Sequence, residues 1–255
     1  MLQLHGICKS FHTGTANERQ ALRGVTLSLR EGDFVTVVGG NGSGKSTLLS
    51  CIAGVHKPDR GHILLDGADV TELPEHLRAR HLGRVFQDPM TGTAASMTIA
   101  ENLALAARRG TRRSLAHGLS RPEREEYRGL LAELELGLED RLSTPVGLLS
   151  GGQRQALTLL MATLRRPKLL LLDEHTAALD PKTAARVLDL SRQLVARHGL
   201  TALMVTHNMQ DAIETGNRLV MMEEGCLVYE ATGAEKRALT VPELVSRFGA
   251  LPHPA

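Results

Sequence analysis

The residues best suited to chemistry are Gly39, Gly40, Asn41, Gly42, Ser43, Gly44, Lys45 and Ser46. They match G-x-x-x-x-G-K-[ST], a spacing that wraps the phosphates of a nucleoside triphosphate. Glycines at 39, 40, 42 and 44 open backbone conformations closed to other residues, so successive N–H groups can turn inward on an anion. Lys45 can reach the β- and γ-phosphates, and the Ser46 hydroxyl is placed to ligate Mg2+. The motif needs a strand before it and a helix after it. The apolar run Phe34–Val38 supplies the strand, and a helix beginning near Lys45 and continuing through Thr47 to Ile52 supplies the positive dipole end. A plain glycine turn is the alternative reading, and these flanks weigh against it.

A second set of reactive groups closes the run Leu169-Leu-Leu-Leu172, which ends in Asp173 and Glu174. In an open α/β sheet, ligands sit beyond the carboxyl ends of strands, where these acids fall. Asp173 would hold Mg2+ through water, and Glu174 would act on the attacking water as general base or orienting group. On its own, the pair could equally open a loop as solvated charge. A third candidate is Leu149-Ser150-Gly151-Gly152-Gln153-Arg-Gln155. Ser150 with Gln153 three residues on reads as a capping box, followed by helical periodicity to Leu164. Gly151 and Gly152 leave its first N–H groups uncovered, so this terminus could take an anion. Of eleven histidines none has metal-site spacing, and H-E-x-x-H is absent.

These groups need elements to hold them. Leu2, Leu4 and Ile7, then Val25, Leu27 and Leu29, alternate with polar neighbours as half-buried strands do. Gly61–Leu65 followed by Asp66-Gly67 reads as another strand and turn, giving an antiparallel layer beside the nucleotide core. Lys168–Asp173 and Thr201–Thr206 are apolar without alternation, as strands covered on both faces are. Pro181–His198 between them has helical periodicity, which makes a β-α-β crossover. Residues 90–165 carry periodic Leu and Ala with many charges, as in Glu101–Arg109 and Glu123–Leu136, and read as a helical insertion. The expected fold class is α/β: a P-loop NTPase core with a mostly parallel sheet, an antiparallel β subdomain and the helical insertion. One domain over 1–230 divides into a core (1–88 and 166–230) and a helical subdomain (89–165). In the tail, 231–255, Leu239–Phe248 offers a helix start with Pro242 and Glu243 in its first turn.

Composition narrows the function. Thirty basic against 28 acidic residues, with 2% aromatics and no Trp, give neither a polyanion field nor a base-stacking platform, so nucleic acid is not an expected partner. Cys8, Cys51 and Cys226 lack C-x-x-C spacing and read as reduced thiols in the cytosol, Cys51 packing as a small apolar residue. No apolar run nears the ~18–20 residues that cross a bilayer, and the start does not read as a signal peptide. The chain is therefore expected to be soluble, reaching a membrane only through a partner.

Leu-Ser-Gly-Gly-Gln at 149–153, after the phosphate loop and before Leu-Leu-Leu-Leu-Asp-Glu, resembles the ATP-binding cassette (ABC) ATPases over nearly the whole chain. The resemblance implies ATP with Mg2+ as cofactors, and it assigns further residues. Phe11 falls where the family stacks an aromatic ring on adenine, though an ordinary core Phe is the alternative. Gln87 matches the glutamine that contacts Mg2+ and senses the membrane partner. Asp180, in Ala178-Leu179-Asp180, matches the loop that crosses to the other ATPase, and His207 matches the histidine that holds the γ-phosphate. One departure is His175, where the family commonly has proline after the catalytic glutamate; packing is favoured over tuning of the site.

The resemblance further implies a head-to-tail pair, with Lys45, Ser46, Gln87, Asp173, Glu174 and His207 of one copy facing Ser150 and Gly152 of the other. Implied partners are that second copy, transmembrane permease subunits and an extracytoplasmic substrate-binding protein. The expected location is the cytoplasmic face of the membrane, peripheral through the permease. Asp-Glu-His-Thr-Ala-Ala-Leu-Asp-Pro and Gln87-Asp-Pro-Met-Thr-Gly-Thr are similar to a bacterial importer subgroup of amino-acid type. An exporter subunit, or a soluble ABC ATPase acting on nucleic acid or ribosomes, is the alternative. The cluster Arg108-Arg109-Gly-Thr-Arg112-Arg113 reads as a solvated helix end, with contact to anionic lipid as the sharper possibility.

Overall fold

The computed structural model describes residues 1–111 and 118–248. Its strands are β1 (Leu2–Phe11), β2 (Arg19–Leu29), β3 (Phe34–Gly39), β4 (Arg60–Leu65), β5 (Ala68–Asp69), β6 (Leu82–Val85), β7 (Leu169–Asp173), β8 (Thr201–Val205), β9 (Arg218–Glu223) and β10 (Cys226–Thr232). Its helices are α1 (Lys45–Ala53), α2 (Glu75–Arg78), α3 (Ile99–Ala107), α4 (Arg121–Ala132), α5 (Gly151–Thr163), α6 (Pro181–His198), α7 (Met209–Glu214), α8 (Gly233–Ala238) and α9 (Val241–Ser246). The chain forms two compact units: Met1–Arg78 with the chain from Gly199 onward, and Ala79–His198.

In the first unit, β2-β1-β4-β5 make an antiparallel sheet, the layer read from the alternating pattern. Leu2 pairs with Leu29 and Leu4 with Leu27, so the apolar positions of both strands share one buried face. Beside it, β3 lies between β8 and β9, parallel to both, and β10 turns back antiparallel on β9. Every residue of β3 and β8 is buried, Thr36 and Thr201 included, which explains why neither strand has an exposed polar face. Cys51 is fully buried on α1, and burial pushes its thiol up to about 11. The tail holds more than the one helix foreseen: β10 reaches Thr232, α8 follows, and α9 has a Thr240–Glu243 capping box. Leu244 of α9 packs with Val38, Leu219 and Met221.

In the second unit, β6 and β7 pair in parallel, and α3, α4 and α5 enclose a core that includes Leu103, Tyr127, Leu131, Leu138 and Leu157. Thr98, Ser120 and Ser150 each start a helix with a reciprocal capping box. Of the basic cluster at the end of α3, Arg108 and Arg109 are not solvated but half-buried and bonded. Arg108 donates to the Ala104 carbonyl and to Glu123, while Arg109 donates to the carbonyls of Ala162 and Arg165, fastening α3 to the end of α5. Arg112 and Arg113 lie outside the described residues. No helix among the described residues is long and apolar enough to cross a membrane.

Candidate functional site

The first unit assembles the phosphate-type loop. Residues 40–44 leave the end of β3 and enter α1 through Gly44, whose φ of 102° lies in a region that side chains avoid. A Cβ there would also overlap the Ala21 carbonyl, so glycine is required twice over. No side chain caps the start of α1, whose positive dipole end faces the loop. Lys45 is buried, and its Nζ donates to the carbonyls of Gly39 and Gly40, each at 2.9 Å. Ser43 Oγ is a buried hydroxyl with no hydrogen-bond partner. A buried cation, an orphaned hydroxyl and an uncapped helix start form a cradle that fits a polyphosphate. Asn41 and Ser46 are exposed, and Thr47 is half-buried.

Other elements bring candidates to the same loop. Phe11 ends β1 opposite Arg19, and the Arg19 guanidinium donates to the Gly42 carbonyl at 2.8 Å. Sequence reasoning missed Arg19, since a lone arginine after a turn carries no pattern. The Phe11 ring meets the His56 ring edge-on at 5.2 Å and is half-buried, so it is not an ordinary core Phe. His207 is exposed just past β8, whose Val205 pairs with Val37 while the Thr206 N–H donates to the Val37 carbonyl. His207 thus leaves the sheet at the end where β3 becomes the loop.

The second unit gathers the remaining candidates. Asp173 ends β7, nearly buried, with Arg84 Nη2 at 3.3 Å from its Oδ2. The register Val85 to Leu172 brings Gln87, two residues past β6, to the same carboxyl end as Asp173 and Glu174. Glu174 has a φ of 44°, left-handed for a residue with a side chain, at a cost of about 1–2 kcal/mol. Its carbonyl accepts from the Ala177 N–H, closing a turn. His175 beside it is buried and bonded to Ser191, and burial pushes its imidazole down to about 4, so the ring is neutral. The ring packs against α6 through that bond.

Asp180 accepts from the Thr183 N–H at the start of α6, and the Thr183 hydroxyl and N–H hold its carboxyl below the usual range. Ser150 caps α5 as the sequence required, accepting from the Gln153 N–H at 3.3 Å. Gly151 is exposed, but Gly152 is buried against Thr183, so α5 and α6 meet at the signature glycines. A cleft of about 710 Å³ opens beside Ser150, Gly152 and Gln153, with Lys182 and Arg186 on its wall. Two tethers were not foreseen. Arg154 donates to the carbonyls of Val146, Gly147 and Leu149, and Gln155 to that of Phe86, next to Gln87. Both residues were visible only as polar positions on a helix.

Residues 22–177 match the family model for the ABC transporter. The chain belongs to the ABC transporter family. The tyrosine transport ATP-binding protein of Clostridioides difficile is 43% identical over 97% of this chain and 98% of its own. The phosphonates import ATP-binding protein PhnC of Alcaligenes faecalis is 36% identical over 94% of this chain and 87% of its own. A dimeric ATP-binding cassette in a post-hydrolysis state, bound to ADP and Pi, superposes with a TM-score of 0.78 and 29% identity. That likeness covers 91% of this chain and 98% of the other. This ABC protein is an ATP-binding subunit of the transporter kind and an ATPase, and its α/β architecture is that of ABC cassettes. The resemblance read from Leu149–Gln153 and its flanking motifs is borne out.

Among the described residues no cluster of three or more His, Cys, Asp or Glu is arranged to hold a metal. Gln87 and Asp173, at the carboxyl ends of β6 and β7, offer an amide and a carboxylate, oxygen donors of the kind a hard cation takes.

Proposed function

We propose that this ABC ATPase powers import of an amino acid, working as a head-to-tail pair of cassettes on a membrane permease. The cradle of Lys45, Ser43 and the uncapped start of α1 carries the reading. ATP would lie there, its phosphates against residues 39–47 and its adenine on Phe11. Ser150, Gly151, Gly152 and Gln153 of the second copy would cover the γ-phosphate, with Asp180 at the crossing between copies. Mg2+ would be held by Ser46, Gln87 and Asp173, supplying charge compensation for the phosphates. Glu174 would take or orient the proton of the attacking water, and His207 would hold the γ-phosphate. Phosphoryl transfer demands positioning more than covalent chemistry, so two half-sites brought together by ATP suffice.

The division into core (1–88, 166–230) and helical subdomain (89–165) belongs to the same proposal, with the permease docked near Gln87. The protein would sit peripherally on the cytoplasmic face, served by an extracytoplasmic binding protein. Amino-acid cargo is favoured by the likeness to the tyrosine transporter subunit along nearly the full length of both chains. The test is Glu174→Gln in the transporter complex. It should bind ATP and stay paired while hydrolysing at least ~100-fold slower, the scale for losing a general base. Near-parent hydrolysis would remove Glu174 from the role, and a parent rate indifferent to amino acids would remove the cargo.

A further inference from the structure

Glu174 leaves β7 in a left-handed conformation, and its neighbour is not part of an open loop. His175 is 2% exposed, and its Nε2 lies 2.8 Å from Ser191 Oγ on α6. Ser191 is fully buried and gives its single hydroxyl hydrogen to the Val187 carbonyl, also at 2.8 Å. The pair is therefore satisfied with His175 Nε2–H as donor. A three-member chain thus runs from the turn after Glu174 to the backbone of α6.

That helix begins at Pro181, next to Asp180, and presses Thr183 on Gly152, so one element touches both the signature glycine and the turn. We propose that the His175–Ser191 hydrogen bond is a positioning latch, holding the Glu174 carboxylate at its hydrolytic angle by fixing residues 174–177 to α6. The latch supplies what the strained backbone cannot, since a left-handed residue relaxes unless its surroundings over-determine it. The proposal rests on the role given to Glu174 above.

The full chain, assembled with its permease, tests it through Ser191→Ala, His175→Leu and His175→Gln, with Ser191→Ala repeated in Glu174→Gln. Loss of the latch should lower kcat about tenfold while the KM for ATP stays within about twofold, as when only a transition-state contact is lost. His175→Gln, which keeps an N–H donor at similar reach, should recover most of the rate. In Glu174→Gln, Ser191→Ala should slow hydrolysis no further. An equal loss in both backgrounds, a rise in KM that accounts for the loss, or failure of the Gln rescue would overturn the latch. Parent-like rates of Ser191→Ala and His175→Leu beside a nearly inactive Glu174→Gln would remove the latch alone. A near-parent Glu174→Gln would remove both it and the role of Glu174.

Discussion

Gly152→Ala separates the two uses that α5 makes of its signature glycine. The added Cβ would overlap Thr183 Cγ2 on α6, at a position that is already buried. Overpacking of this kind costs about 1–3 kcal/mol. The gain from replacing glycine inside a helix is about 0.5–1 kcal/mol. Taken at their midpoints the two terms leave a net loss of about 1.25 kcal/mol, which in a chain of this size lowers Tm by roughly 2.5–5 °C. Thr183→Ser deletes the offending methyl but keeps the hydroxyl and the N–H that hold Asp180. The double variant gives up at most about 0.8 kcal/mol of methyl burial and retains the helix gain, so its Tm should return close to the parent's. Calorimetry of the four proteins reads the cycle. A Gly152→Ala protein as stable as the parent, or no recovery in the double variant, would refute the packing argument. ATPase assays on the same set carry the second half. If a nucleotide on a second copy must approach the backbone at 152, the double variant stays slow although its fold is restored. Full turnover would mean that Gly152 serves only the contact between α5 and α6.

Arg78 is 1% exposed and donates to the carbonyls of Cys51, Ile52, Thr71 and Leu73, so Arg78→Met orphans the last turn of α1. Urea unfolding should show a loss of about 3–5 kcal/mol, and a loss under about 1 would deny the clamp. Lys45→Ala removes the buried ammonium and should weaken ATP binding about 10–100-fold by titration, the worth of one charged hydrogen bond. Asp33 is desolvated, which alone would raise its pKa, but bonds from Asn217, the Arg30 N–H and Arg218 outweigh burial and hold it below 3.8. A depressed folded pKa stabilises above the unfolded value and is lost as pH falls through the folded one. Stability of the parent should therefore fall below about pH 4, and Asp33→Asn should flatten that part of the profile while costing about 1–3 kcal/mol at pH 7.

Residues whose spacing is dictated by local backbone geometry were legible. The phosphate-type loop, the capping box at Ser150, the buried runs of β7 and β8 and the full span of α6 all follow from turn chemistry and periodicity. The strand β6 was not, because four residues that include Gly83 and Arg84 carry neither alternation nor an apolar run. The long-range tethers stayed hidden for a different reason. Arg19 on Gly42, Gln155 on Phe86 and Arg78 on α1 join segments 23, 69 and about 26 residues apart, and only the folded backbone selects their acceptors. His175 lies between these cases. Its place after Glu174 marked it as a departure, but nothing local said that Ser191, sixteen residues on, would receive its N–H. A motif fixes which groups stand near a phosphate; how firmly each is aimed depends on contacts that lie outside the motif. Glu174 is the sharpest instance, since its backbone is strained at φ 44° and a carboxylate so placed keeps one direction only while its neighbours hold it.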